Sequence, residues 1–357
     1  MTREEWNELV RWKPVLLDGA TGSNLLSCGM PRGICAESWI LEHQDVLIQL
    51  QREYQKAGSQ ILYAPTFSAN RIGLEGYGLE KKVEEYNERL VHISREAAQG
   101  QALIAGDLTT TGKTVGENGT ITYEELFDVY KEQITSLANA GVDLLVAETM
   151  ISIEETMAAL DAARAVCDLP MMCSMTVSAD GTGFFGGSAV EAMESLQAMG
   201  ADAVGLNCSV GPDQLEAVVR GMKKVAEVPV LVKPNAGMPT IDEKGTAVYT
   251  MGEEAFAEAM IRLIREGAWI VGGCCGTTPE HLKRIGELLH ICPPAVIFDA
   301  DRAIEKEDEL IHADSKEHYH LYCDQIECSE PLYCSPDMCD DFLRLEEERI
   351  DVIVVEV

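Results

Sequence analysis

Residues 122–148 read TYEELFDVYKEQITSLANAGVDLLVAE, and this stretch carries the unit from which the fold is built. Its first part places apolar residues three or four positions apart, which is the spacing of an amphipathic helix, and it stops at a glycine. Its second part, VDLLVAE, is a short apolar run that ends in an acid. A helix followed directly by a buried strand is the repeating element of a parallel α/β protein.

The same unit recurs along the chain and predicts eight strands. We place them at 14–18, 59–67, 101–108, 142–148, 170–177, 202–208, 228–235 and 268–274. Eight such units match a (β/α)₈ barrel, which is typically ~250 residues long. A doubly wound sheet is the alternative, but DGATGS after the first strand lacks the G-x-G-x-x-G pattern of a dinucleotide site. We therefore predict an α/β protein with a TIM barrel over residues 1–292.

Composition excludes several classes of partner. The net charge of −32, from 60 acidic and 28 basic residues, argues against binding nucleic acid or anionic membranes through a general basic surface. The N-terminal MTREEWNELVRW lacks the apolar core of a signal peptide, and no apolar run is long enough to span a bilayer. We expect a cytoplasmic protein whose 12 cysteines are reduced thiols or metal ligands, not a disulfide framework.

Polar residues collect where the predicted strands end, and the active site of a (β/α)₈ barrel lies at that end of the strands. These residues are Asp18, Thr66, Asp107, Glu148, Thr176, Asn207, Cys208, Asn235, Cys274 and Cys275. A single acid at a strand end often only caps the next helix, so each one alone is weak support. Their coincidence with three thiols indicates a functional site.

The three strand-end thiols suit a metal. Cys208 ends the sixth strand, while Cys274 and Cys275 end the eighth within GGCCGT. Adjacent cysteines bond poorly to each other, but three thiolates can hold Zn²⁺ and leave its fourth position for a substrate, as catalytic zinc requires. The simpler alternative is a small buried apolar side chain, which is how free cysteine usually behaves. We accept that alternative for Cys28, Cys35, Cys167, Cys173 and Cys292.

Six segments carry a family resemblance. LLDGATGSNL, GSQILYAPTFSANR, VDLLVAET, GLNCSVGP, VKPNAGMP and GGCCGTTPEH resemble the homocysteine-binding domain of cobalamin-dependent methionine synthase and, more broadly, the zinc-dependent homocysteine S-methyltransferases. The resemblance runs from about residue 15 to about residue 289. It implies a (β/α)₈ barrel, a zinc held by Cys208, Cys274 and Cys275, and methyl transfer onto the sulfur of homocysteine to give methionine.

The resemblance also implies how the substrate's amino-acid group is bound. It places Asp18 and Glu148 near the ammonium group of homocysteine. Backbone N–H groups of the loop that begins with Gly19 and Ala20 are candidates for its carboxylate, because successive turn amides form anion-binding nests. Taken alone, DGATG is equally consistent with a tight turn capped by Asp18.

Two further residues are weaker candidates for the substrate pocket. Thr66 is expected to line the pocket and not to react. Asn235, in KPNAG, either orients the substrate or places its amide oxygen at the fourth zinc position when no thiol is bound. The alternative is that it only forms a turn before the glycine, and the sequence favours neither a functional role nor the turn.

Residues 293–357 are predicted to form a small acidic appendage. It contains Cys323, Cys328, Cys334 and Cys339, whose spacing is looser than that of usual zinc sites, so metal binding, redox pairing and plain packing all stay open. The closing IDVIVVEV indicates a folded strand. The appendage is a candidate dock for a corrinoid protein.

Three questions about function stay open at this point. The chain shows neither a folate nor a cobalamin domain, so the methyl donor is expected to be a separate methylcorrinoid protein, S-methylmethionine or another methylated compound. A different small thiol or selenol is an alternative acceptor. A barrel that only stores zinc or thiols is the non-catalytic alternative, although storage would not need acids for an ammonium group.

Overall fold

The computed structural model describes residues 1–115, 119–184, 186–241 and 247–291. The chain divides into two units, Met1–Leu289 and His290–Val357. The appendage predicted at 293–357, its four cysteines and Cys292 lie outside the described residues, so the predictions about them stay predictions. Within the described ranges, no helix is long and apolar enough to cross a membrane.

Eight parallel strands form the centre of the first unit. The strands of the described chain are β1 (Val15–Leu16), β2 (Ile61–Tyr63), β3 (Leu103–Leu108), β4 (Leu144–Met150), β5 (Met171–Met175), β6 (Ala203–Cys208), β7 (Val230–Pro234), β8 (Thr240–Ile241), β9 (Ala247–Val248) and β10 (Ala268–Val271). Their order in the sheet is β1-β10-β7-β6-β5-β4-β3-β2, and β8 and β9 form a separate hairpin. A parallel bridge between Leu17 and Ile61 brings β2 back beside β1. The predicted (β/α)₈ barrel is confirmed: each predicted segment overlaps one strand, although β4 continues to Met150, beyond the predicted end at residue 148.

Helices connect the strands. They are α1 (Arg3–Leu9), α2 (Gly22–Ser27), α3 (Ala36–Glu42), α4 (Gln44–Lys56), α5 (Arg71–Glu75), α6 (Val83–Ala98), α7 (Tyr123–Asn139), α8 (Ile153–Val166), α9 (Ala189–Ala198), α10 (Glu216–Lys223), α11 (Glu253–Arg265) and α12 (Pro279–Ile291). Helix α7 begins with a capping box, in which Thr122 and Glu125 satisfy each other's backbone N–H groups. Gly141 follows it at a φ of 81°, which only glycine adopts freely. The unit seen in the sequence therefore folds as its spacing predicts.

The barrel interior is an apolar core closed at one end. Its members are Val15, Leu17, Ile61, Tyr63, Ala105, Leu144, Val146, Met172, Ala203, Leu231 and Ile270, joined by Trp6 and Val10 from the N-terminal segment. Trp6 is almost completely buried, and its indole N–H donates to the carbonyl oxygen of Asp202 over 3.1 Å, just before β6 begins. Helix α1 thus closes the N-terminal end of the barrel. A second, larger apolar cluster packs the strands against the helices.

Two residues further along several strands, the interior becomes polar. Side chains of a strand alternate between its two faces, so residues two apart point the same way. Ala105, Val146 and Leu231 belong to the inner core, and Asp107, Glu148 and Lys233 follow them at this interval. Titratable side chains therefore lie at the C-terminal end of the barrel, above an apolar floor.

Candidate metal centre and substrate pocket

The three predicted thiols lie together at the C-terminal end of the barrel. Cys208 is the last residue of β6, and Cys274 and Cys275 lie just after β10. The Sγ atoms of Cys208 and Cys275 are 4.0 Å apart, and the three Sγ atoms all lie within 4.8 Å of one another. Cys208 lies 66 and 67 positions before Cys274 and Cys275, and the three form one cluster because β6, β7 and β10 are neighbours in the sheet.

The spacing of these sulfurs fits a tetrahedral metal ion. With Zn–S bonds of about 2.3 Å, two ligands on a tetrahedron are about 3.8 Å apart. The 4.0 Å between Cys208 and Cys275 is close to that value. Hydrogen bonds from Cys208 and Cys274 lower the pKa of the Cys275 thiol, while hydrogen bonds with Cys274 and Cys275 raise the pKa of Cys208. The cluster could hold a metal ion, and no other such group of cysteines, histidines and acids occurs in the described part of the chain.

The backbone at Cys208 is strained. Cys208 has a φ of 61° and Ser209 a φ of 63°, a region that residues other than glycine seldom occupy. Hydrogen bonds from neighbouring residues stabilise this strained conformation. The Ser209 hydroxyl is hydrogen-bonded to the Thr176 hydroxyl and accepts a hydrogen bond from the N–H of Val177. The Asn235 side-chain amide donates to the Ser209 carbonyl over 3.2 Å. Such residues cost of order 1–3 kcal/mol each and cluster at functional sites. This backbone directs the Cys208 thiol towards the other two.

The glycines of GGCCGT are required by close contacts. A Cβ atom on Gly273 would lie 2.4 Å from the Thr277 hydroxyl oxygen. Gly276 has a φ of 82°, and a Cβ there would lie 2.3 Å from a side-chain carbon of Tyr249. The N–H of Cys274 donates to the carbonyl of Pro234 over 2.7 Å, which ties the turn to the end of β7. The glycines therefore let the two adjacent thiols follow the strand directly.

A buried group of charges lies beside the thiols. Asp18 follows β1, and its Oδ2 accepts a hydrogen bond from the N–H of Tyr63 over 2.8 Å. The Nζ atom of Lys233 is 3.4 Å from Asp18 Oδ1 and 3.8 Å from Glu148 Oε2. Asp107 lies next to Glu148 and is also buried. The structure thus brings the predicted acids Asp18 and Glu148 to one place, together with two charged residues that sequence analysis did not assign to the substrate.

Asp107 and Lys233, the two residues that were not assigned to the substrate, are each marked by a feature of the sequence. Asp107 ends a predicted strand, but a lone strand-end acid also suits a helix cap. Lys233 stands inside VLVKP, and a charged side chain in an apolar run of β7 is unusual for a strand buried on both faces. The unusual position of Lys233 could be recognised from the sequence, but the residues that pair with it could not.

Several buried acceptor atoms in this pocket have no hydrogen-bond partner. They are Asp18 Oδ1, Asp107 Oδ1, Glu148 Oε2 and Asn235 Oδ1. A buried polar atom without a partner costs about 1–3 kcal/mol, and native proteins contain few of them. Burial raises the pKa of Asp18, of Asp107 and of Glu148, the last to about 7. A set of unpaired acceptors is complementary to a ligand that brings several N–H donors.

The other predicted substrate residues have defined local roles. The N–H of Ala20 donates to the Thr277 hydroxyl over 3.1 Å, so this amide is already paired. A Cβ on Gly19 would lie 2.6 Å from the Tyr54 ring, so the ring packs against this glycine. The Thr66 hydroxyl donates to the carbonyl of Asp107 over 2.8 Å and links β2 to β3. Direct substrate contacts of these three residues stay predictions.

The remaining described cysteines lie outside the cluster. Cys35 and Cys173 are buried and Cys167 is partly buried, as expected of small apolar side chains. Cys28 is exposed, so the prediction of burial was wrong for this residue. Its position at the end of α2, followed by Gly29 at a φ of 100°, places it in a surface turn and not in the core.

These features define a class of protein: a (β/α)₈ barrel with a candidate metal centre and a buried acidic pocket at its C-terminal end. The sequence matches the model of the homocysteine S-methyltransferase family over residues 15–289. The chain therefore belongs to the homocysteine S-methyltransferase family. The match ends where the first structural unit ends.

Known proteins agree with this assignment. The methionine synthase of Mycobacterium leprae is 30% identical to this chain over 82% of its length. The methionine synthase of Mycobacterium tuberculosis is 29% identical over 75% of this chain. The chain spans only about a quarter of their length, 26% and 24%. The metallated form of the homocysteine methyltransferase MmuM from Escherichia coli superposes with a TM-score of 0.66 at 20% identity, covering 79% of this chain and 98% of that one. Its apo form gives a TM-score of 0.59. The structural likeness supports the barrel fold.

Proposed function

We propose that this protein transfers a methyl group onto the thiol of L-homocysteine and so produces L-methionine. One observation carries the proposal: a cluster of three thiols lies beside a buried pocket in which Asp18 Oδ1 and Glu148 Oε2 face Lys233 but accept no hydrogen bond. Homocysteine has a thiol at one end and an ammonium group at the other, and it matches both parts. Family membership and the methionine synthase relatives support the same reaction.

We propose Zn²⁺ as the metal, held by Cys208, Cys274 and Cys275. Thiolate ligands favour this ion, and three protein ligands leave one position for a substrate thiol. When bound, the ion supplies the positive charge that makes a thiol lose its proton near neutral pH. The metallated form of the Escherichia coli homocysteine methyltransferase MmuM supports a metal at this site.

The residues of the chain position the substrate for the reaction. Asp18 and Glu148 accept hydrogen bonds from the substrate ammonium, and Asn235 supplies a further acceptor through its free Oδ1. The low-dielectric interior strengthens these contacts, since Asp18, Glu148 and Asn235 are all buried. The substrate sulfur is thereby held at the thiol cluster, where it attacks the methyl carbon of the donor. The new S–C bond forms as the bond between methyl and donor breaks, and the donor leaves with that electron pair.

The methyl donor is proposed to be a separate methylcorrinoid protein or S-methylmethionine. The two methionine synthase relatives favour the corrinoid, and the MmuM-like barrel is equally compatible with a small donor. We also propose that the protein acts in the cytoplasm, where free thiols stay reduced. A different small thiol or selenol as acceptor is the second candidate, because a selenol satisfies the same metal position.

A donor panel combined with zinc analysis tests the proposal. Purified protein is assayed for zinc and for methionine formation from homocysteine with methylcob(III)alamin, S-methylmethionine and betaine. We expect zinc near one equivalent and activity with at least one donor. Zinc-free protein that makes no methionine from any donor, even after zinc is added, would reject the proposed reaction. A zinc-loaded but inactive protein that does not bind homocysteine would favour a storage role.

A further inference from the structure

Lys233 occupies an unusual position inside the barrel. It is the only lysine or arginine that is fully buried among the described residues, with 3% of its surface exposed. Its Nζ atom lies near the carboxylates of Asp18 and Glu148, 3.4 Å from the carbonyl oxygen of Gly19 and 4.6 Å from the centre of the Tyr63 ring. Burying an ammonium group is costly unless it is paired. The position therefore calls for a role beyond packing.

Lys233 compensates the negative charge of Asp18 and Glu148 without forming short hydrogen bonds to their carboxylate oxygens. Charge-assisted N–H···O bonds are usually about 2.7–2.9 Å long. The separations of 3.4 Å to Asp18 Oδ1 and 3.8 Å to Glu148 Oε2 are longer, and neither oxygen accepts a hydrogen bond. Each carboxylate is thus attracted to the lysine but keeps an acceptor atom for another donor.

We propose that Lys233 is a positioning residue that holds Asp18 and Glu148 as a ready pair of carboxylates, and that it thereby makes the site prefer thiols that carry an ammonium group. The inference rests on the proposed homocysteine function and adds a specificity-determining residue to it. Lys233 belongs to β7 and Asp18 follows β1, 215 positions away in the chain, so the lysine ties the two acids to β7.

The charges around Glu148 explain why a fixed cation is needed. The titratable groups that act on this carboxyl are Lys233, Cys274, Asp18 and Asp107. Burial raises the pKa of Glu148 to about 7, Lys233 opposes the rise, and Cys274 and Asp18 add to it. Without the lysine, this pKa would rise further, and a smaller fraction of Glu148 would be ionised at neutral pH. A neutral carboxyl attracts a substrate ammonium much less than a carboxylate does.

Lys233 itself is well placed to remain charged. Burial alone would lower its pKa, but the carboxylates of Glu148 and Asp18 raise it above its ordinary value. Asp107 is the group most easily kept neutral, because burial and the neighbouring Glu148 both raise its pKa. With Asp107 protonated, two carboxylates and one lysine leave a single negative charge. One substrate ammonium then neutralises the pocket.

The test compares two thiols that differ by one ammonium group. Homocysteine and 4-mercaptobutanoate share the thiol, the chain length and the carboxylate, but only the first carries the α-ammonium. Binding of each to the zinc-loaded, reduced protein is measured by calorimetry between about pH 6 and about pH 9, a range that brackets the expected titration. Wild type is compared with Lys233→Met, which keeps the length of the stem but removes the charge, and with Lys233→Arg, which keeps the charge.

The expected result is a loss of preference, not a general loss of binding. At neutral pH, Lys233→Met should bind homocysteine roughly tenfold more weakly, because a rise of one pKa unit cuts the ionised fraction of Glu148 by up to tenfold. Its affinity for 4-mercaptobutanoate should stay within about twofold, since that thiol does not use the acids. Homocysteine binding should recover at higher pH in Lys233→Met, and Lys233→Arg should retain the preference.

Other outcomes separate the inference from the proposed function. Equal weakening of both thiols, or an unchanged pH midpoint in Lys233→Met, would show that the lysine only packs and would overturn the inference. A wild type that binds homocysteine while Lys233→Met binds it equally well would also overturn the inference but leave the function intact. A wild type that does not bind homocysteine rejects both. If Lys233→Met fails to fold by circular dichroism, Lys233→Gln replaces it under the same expectations.

Discussion

Replacing Cys208 by alanine should remove the metal. The three sulfurs lie within 4.8 Å of one another, and no fourth cysteine of the described residues joins them. Structural zinc sites with four ligands bind with about 10–16 kcal/mol, or about 3 kcal/mol for each ligand. Losing one of three ligands should therefore weaken zinc binding by a factor of a hundred or more.

The assay is zinc content by mass spectrometry after dialysis against a chelator of graded strength. Wild type should keep about one zinc under conditions in which Cys208→Ala loses it, and methyl transfer should fall with the metal. Cys28→Ala is the matched control, because Cys28 is exposed and lies outside the cluster. Full zinc and full activity in Cys208→Ala would refute the ligand assignment. Combining Cys208→Ala with Cys323→Ala or Cys334→Ala then tells whether residues outside the described ranges hold the metal.

Three further predictions concern the pocket and the barrel. Glu148→Gln should raise the KM for homocysteine about 10- to 100-fold, since a hydrogen bond to a charged group contributes about 1.5–3 kcal/mol. Steady-state kinetics measure this change, with 4-mercaptobutanoate as the control thiol. An equal rise in KM for both thiols would contradict the prediction. In wild type, the KM for homocysteine relative to that for 4-mercaptobutanoate should fall as pH rises through about 7, because only ionised Glu148 pairs with the ammonium; a ratio that rises over this range would exclude the role of Glu148. Gly205→Ala should destabilise the barrel by about 3 kcal/mol or more, because the new Cβ would lie 1.8 Å from the Leu231 carbonyl oxygen. Thermal unfolding compares this variant with Gly22→Ala, whose Cβ would have no atom within 4 Å. Equal melting temperatures of the two variants would refute the clash.

Most of the fold could be predicted from local patterns. Each predicted strand segment overlaps a strand, but β4 continues beyond its predicted end, and β1 and β2 are only two and three residues long, so PVLLD and SQILYAPTF extend beyond them. Apolar runs mark where buried chain lies, but they do not mark where ladder hydrogen bonds begin and end. The small hairpin of β8 and β9 was not predicted, because its residues are not patterned as a strand pair.

The site was predictable as far as residue type and strand position allow. Cys208, Cys274 and Cys275 were found because thiols at strand ends are rare and point to a metal. Lys233 was missed, although a lysine in an apolar strand is an anomaly. Its meaning depends on Asp18, which is far away in the chain.

The sequence by itself determined the barrel, the eight units and the chemistry of its strand ends, because helical and strand periods are properties of neighbouring residues. Only the tertiary structure decided which of those side chains meet. Closure of the sheet between Leu17 and Ile61 and the pairing of β7 with β10 set the distances across the barrel mouth. Burial then set the charges, because the pKa of Glu148 depends on the exclusion of water and on Lys233, and neither is encoded in the residues next to it.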